Sequence, residues 1–69
     1  MAPIEKAVEL AGGQASLARQ INVSASFVSQ LVNKQRRIPP TLCAPIERAV
    51  DGGVTRAELR PDVFGEVAA

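Results

Sequence analysis

Paired glycines, a lone asparagine and several prolines cut this chain into runs too short for anything but brief helices. Gly12-Gly13 closes one run and Asn22 a second, Pro39-Pro40 opens another that Gly52-Gly53 ends, and Pro61 closes the last. Glycine accepts the left-handed backbone that caps a helix C-terminus without steric cost, and asparagine is the best substitute. Proline is excluded from a regular helix interior but suits a first turn. Between these stops the apolar residues recur at helical spacing. Pro3 opens a first helix whose Ile4, Ala7, Val8 and Ala11 share a face, and Leu17, Ala18 and Ile21 mark a second that starts at Gln14. After the corner at Asn22, Val23 is buried by pattern and the Ser24 hydroxyl is available as a cap. Val28, Leu31 and Val32 then mark a third helix from Ala25 to Asn33.

The stretch 34–40 is polar, basic and ends in two prolines, so it reads as a loop. Leu42, Ile46, Ala49 and Val50 form a fourth helical pattern, within which Pro45 predicts a kink or a delayed start. Thr55 and Glu58 have the spacing of a capping box at the start of a last short element. Beyond Pro61, Val63 and Phe64 are expected to pack on the core or on a second subunit, and residues 65–69 are read as a disordered tail. The reading is therefore all-α: a compact bundle of four to five short helices, with residues 1–64 as a single domain. Phe27 and Phe64 are the only aromatics, so the core must be aliphatic. A domain of this size buries only about 60% of its unfolded surface, and modest stability is expected.

Several function classes drop out on composition. Cys43 is the only cysteine and there is no histidine, so the chain has no disulfide framework and lacks the usual Cys/His set for zinc or for nucleophilic catalysis. The carboxylates show no clustering suited to acid-base chemistry, and no catalytic, metal or cofactor site is expected. Neither a secretory signal pattern nor a long apolar run is present, so no membrane association is expected and the cytoplasm is the expected compartment. Charge is informative only in its distribution. Between Leu10 and Ile46 there is no acid, while Arg19, Lys34, Arg36 and Arg37 lie there, and the flanks hold four bases against seven acids. Such a basic centre is the footprint of a nucleic-acid surface.

Residues 14–33 (QASLARQINVSASFVSQLVN) resemble the helix-turn-helix of the Cro/repressor class. In that pattern a tiny residue at the fifth position lets two helices cross closely, and Ala18 fills it. A left-handed residue, usually glycine, is wanted at the ninth, and here Asn22 stands in its place. Leu17, Ile21, Val23, Val28 and Leu31 match the apolar positions. The double-glycine end of the first helix, the loop KQRRIPP at 34–40 and the segment TRAELRPD at 55–62 are also similar to the YdaS-type Cro-like regulators of bacterial prophages, over nearly the whole chain. The resemblance implies a lambda-repressor-like fold and a phage-type repressor, in a family sometimes described as the antitoxin half of a toxin–antitoxin pair. It thereby raises a toxin as a partner.

The residues support duplex DNA as the partner without the family. With Val28 and Leu31 inward, the third helix presents Ala25, Ser26, Ser29, Gln30 and Asn33, all small or amide-bearing, as the base-reading set. Gln30 leads it, because glutamine pairs in bidentate fashion with adenine. Gln14, Arg19, Ser24, Lys34, Arg36 and Arg37 surround that face as phosphate contacts, which position a protein without specifying sequence. Structural roles compete for the same residues. Ser24 is read first as a helix cap, Ala25 as a helix former, Arg19 as a possible ion-pair partner, and Arg36 and Arg37 as ordinary solvated loop residues. Phe27 is expected between the third and fourth helices, Arg60 and Asp62 as a structural surface pair, and Cys43 as a small buried apolar residue. One such domain binds weakly, so a homodimer is expected, with reading helices about 34 Å apart in successive major grooves. Val54, Val63 and Phe64 are the residues read for that contact. The competing reading is a protein-binding module, such as an antitoxin that masks a partner protein.

Overall fold

A computed structural model describes residues 2–64, and its regular structure is entirely helical. Six helices follow in order: α1 (Pro3–Ala11), α2 (Gln14–Ile21), α3 (Ala25–Val32), α4 (Pro40–Ala49), α5 (Arg56–Leu59) and α6 (Pro61–Phe64). The all-α reading holds, with one more helix than expected because Pro61 opens a further turn as well as ending α5. The tail expected at 65–69 lies outside the described residues.

Four of the helices end in the same way, with a left-handed residue that turns two backbone N–H groups back onto the last turn. After α1, Gly12 (φ 94°) and Gly13 donate to the carbonyls of Glu9 and Val8 at 3.2 and 2.8 Å. After α2, Asn22 (φ 65°) and Val23 donate to Arg19 and Ala18 at 3.3 and 2.9 Å. After α3 the left-handed residue is Lys34 (φ 62°), and after α4 it is Asp51 (φ 57°), one residue ahead of the glycine pair. Pro45 neither delays α4, which begins at Pro40, nor ends it. Its missing N–H leaves the Thr41 carbonyl without the helical bond it would have received. The Thr55–Glu58 capping box forms as expected, with the Glu58 N–H on Thr55 Oγ1 at 3.2 Å and the Thr55 N–H on Glu58 Oε1 at 2.9 Å.

The core is aliphatic. Leu17, Val28, Cys43, Ile46 and Val54 are fully buried at its centre, and Ile4, Ala7, Ala18, Ile21, Leu31, Val50 and Leu59 complete it. No polar or charged residue is buried among the described residues. α2 lies in the middle, packed on α1, α3 and α4, and Ala18 is small enough to let α3 cross close to it. Val23, expected to be buried, is half-buried at the edge of the core. Cys43 is buried as expected, its thiol donating to the Pro39 carbonyl at 3.7 Å, and burial pushes its pKa up. Gly53 marks a close approach, since a Cβ there would sit 2.6 Å from Leu10 Cδ1.

Val54 cannot serve the dimer contact read for it from the sequence, because its side chain has no exposed surface. It joins the core from the α4–α5 connection, where an isolated valine after two glycines gave no sign of its depth. Val63 and Phe64 are instead exposed, at 48% and 36%. The Phe64 ring lies 5.7 Å from the Arg56 guanidinium, and Arg56 is also paired with Glu47 at 3.2 Å.

Candidate nucleic-acid interface

α3 starts where Ser24 stops the chain from continuing the turn, its Oγ accepting the Phe27 N–H at 3.1 Å. Ser24 is thus a cap, and its hydroxyl proton remains available to an outside acceptor. Val28 and Leu31 point into the core, with Phe27 and Val32 packed at its edge. Of the residues read as base contacts, Ala25, Ser26 and Asn33 are exposed, and Ser29 and Gln30 are half-buried on the same side. Asn33 Nδ2 reaches Ser29 Oγ at 3.5 Å, one turn along that face.

The basic loop folds back against this helix. Lys34, in its left-handed conformation, reverses the chain, and the Gln35 N–H closes on the Gln30 carbonyl at 2.9 Å. Arg36 then returns over α3. Its Nε–H donates to Gln30 Oε1 at 2.8 Å, and its guanidinium stands 5.2 Å from the centre of the Phe27 ring. Phe27 was expected between the third and fourth helices. It lies half-buried, packed against the edge of the core, with the Arg36 guanidinium over its ring face.

The far end of the loop is tied from behind. Arg60 donates from Nη1 to the Ile38 carbonyl at 2.7 Å, and from Nε and Nη2 to the two Asp62 oxygens at 2.9 and 2.7 Å. These hydrogen bonds hold the Asp62 carboxyl at about 2, below its ordinary 3.8. The pair read as a structural surface bridge is therefore structural with a specific task, fixing the exit of the basic loop across 22 residues of sequence. An open groove of about 530 Å³ runs behind the loop, floored by Ile4, Leu31 and Leu59.

Gln14 opens α2 and Arg19 lies near its end, both exposed, and no side-chain hydrogen bond joins either to the α3 residues. Arg37 and Lys34 are exposed as well, and among the described residues no salt bridge engages Arg19, Lys34, Arg36 or Arg37. The sequence did not suggest the Arg36–Gln30–Phe27 contacts, since a six-residue spacing across a chain reversal has no local signature. It did hold a signal for Lys34: no glycine lies between Val32 and Pro39, so some other residue had to make the turn. No group of three or more His, Cys, Asp and Glu among the described residues is placed to hold a metal ion, and no helix there is long and apolar enough to cross a membrane.

Over residues 4–68 the chain matches the family described as "Bacterial toxin YdaS". It is 41% identical over 59 residues to a protein of Escherichia coli strain K12 named "Putative transcriptional regulator YdaS", an alignment that takes in 86% of this chain and 60% of the length of that relative. Among solved structures, the Cro protein "from putative prophage element Xfaso 1" of Xylella fastidiosa strain Ann-1 shares the fold at a TM-score of 0.88 and 38% identity. That match covers 96% of this chain and 100% of the other. The Cro-like architecture expected from residues 14–33 is thus the architecture of this chain.

Proposed function

The chain belongs to the family described as bacterial toxin YdaS, and we propose from this that residues 1–64 act as one Cro-like DNA-binding domain of a transcriptional regulator. The observation that carries the reading is the assembled surface of α3. Small and amide side chains face outward on a helix of major-groove size, and among the described residues the exposed Arg19, Lys34, Arg36 and Arg37 form no salt bridge with a carboxylate. On this reading Ala25, Ser26, Ser29, Gln30 and Asn33 meet base edges. Gln14, Arg19, Lys34 and Arg37 meet phosphates, Arg36 adds positive charge, and the Ser24 hydroxyl can add a further phosphate contact. The relatives are named as a transcriptional regulator and as a Cro protein, which supports the same direction. The role is binding without catalysis, exercised on the genome in the cytoplasm, and Val63 and Phe64 supply the contact between two copies.

A titration followed by fluorescence anisotropy, with the duplex upstream of the protein's own gene against a scrambled duplex, tests this. The own-gene duplex should bind more tightly, with log affinity falling against log salt at a slope of roughly −3.6 per subunit for about four neutralised phosphates. Equal and weak binding of both duplexes would refute sequence reading.

The exposure of Val63 and Phe64 also favours a second reading, in which the chain masks a partner protein such as a toxin. The two separate by charge reversal. Arg36→Glu with Arg37→Glu should abolish the function of a DNA regulator and leave that of a protein-masking module intact, while Val63→Ser with Phe64→Ser should abolish the masking.

A further inference from the structure

We propose that Arg36 is a base-reading residue, which Phe27 and Gln30 hold in place to pair with a guanine next to the base met by Gln30. The inference rests on α3 entering the major groove and goes beyond it by assigning a base identity. An arginine that serves a phosphate extends from the rim of an interface. Arg36 instead leaves the loop and comes back over the reading helix, 2.8 Å from Gln30 Oε1 and 5.2 Å from the Phe27 ring centre. That arrangement costs side-chain entropy, offset by the contact with the ring face and the hydrogen bond.

The remaining donors define what the fixed plane can read. A guanidinium has five N–H groups, and the one on Nε is spent on Gln30. Arg36 is exposed, and among the described residues Nη1 and Nη2 make no hydrogen bond, so they form a free fork that matches the O6 and N7 acceptors of guanine in the major groove. Gln30 keeps both amide N–H donors and one lone pair on Oε1, so it can still pair with an adenine. Arg36 thereby also orients the Gln30 amide, because the oxygen must stay turned toward Nε. The two side chains act as one donor-rich unit addressed to adjacent purines.

The test is selection from a pool of duplexes with a randomised centre, read by sequencing, with the wild type, Arg36→Lys and Gln30→Ala. Lysine keeps the positive charge for a phosphate but loses the fork. The wild type should enrich a motif containing a guanine whose preference falls by roughly 5- to 100-fold in Arg36→Lys. Replacing that guanine by 7-deazaguanine, which lacks the N7 acceptor, should weaken wild-type binding by a similar factor and leave Arg36→Lys unchanged. Arg36→Lys enriching the same guanine, or indifference of the wild type to 7-deazaguanine, would return Arg36 to the phosphate contacts and overturn the inference alone. Failure of the wild type to enrich any motif would overturn groove reading itself.

Discussion

Lys34 holds a backbone conformation that L-residues with a Cβ adopt at a cost of about 1–2 kcal/mol. Glycine would make the same turn without that strain, although it loses more freedom on folding. A lysine at this position therefore trades stability for a positive side chain at the end of α3. Lys34→Gly should raise stability by about 0.5–1 kcal/mol, seen as a rise of roughly 2–8 °C in the melting midpoint of a domain this small. The same substitution should weaken duplex binding and reduce the salt slope by about 0.9, the share of one phosphate. A variant that melts lower, or binds DNA with an unchanged slope, would contradict this division of roles. Asn22 makes the equivalent turn before α3, and its role was readable in advance because asparagine visits the left-handed region far more readily than lysine does.

At the scale of elements, the proposed interface is a helix and a loop held at both ends. Ser24 and the α2–α3 corner set the start of α3, and Arg60 on the Ile38 carbonyl sets the end of the loop. The second tie has a pH dependence whose sign follows from Asp62. Its folded pKa lies near 2 against an ordinary 3.8, so the pair stabilises the fold fully above the higher value and loses that contribution as pH falls through the lower one. Asp62→Asn should lower the melting midpoint at neutral pH and flatten its dependence across that acid window, as thermal unfolding at a series of pH values would record. Wild type and variant with parallel profiles between pH 3.8 and 2 would show that the pair carries no linkage. The loop was recognisable as a loop from its prolines, yet its anchor was not, because the bond joins residues 22 positions apart.

On the proposed reading the described residues present one reading helix, and one small interface is a weak hold on DNA. Two copies engaging successive major grooves would supply the missing affinity. Val63 and Phe64 are exposed at the end of the described chain and make that contact on the proposed reading. Val63→Ser with Phe64→Ser should leave the melting midpoint close to wild type, since neither side chain belongs to the buried core. Sedimentation equilibrium should show a loss of self-association, and affinity for a two-half-site duplex should fall toward that for a single half-site. A double variant that still assembles and binds as the wild type would place the contact on another surface.

The sequence by itself determined that α1 to α5 form, where α1 and α2 end, and which face of α3 looks outward. Those properties are local: the spacing of Leu17, Ile21, Val28 and Leu31, the freedom of Gly12, the corner at Asn22 and the Thr55–Glu58 box each act within a turn or two of chain. The resemblance of residues 14–33 to a known helix-turn-helix carried the fold further than composition could. What the tertiary structure alone decided is which side chains meet across distance. It buried Val54, left Phe27 under Arg36, joined Arg36 to Gln30 and tied Arg60 to Ile38. Pattern and propensity describe how a residue relates to its own helix, whereas these contacts depend on the crossing of helices and the return path of a loop, which exist only once the chain has packed.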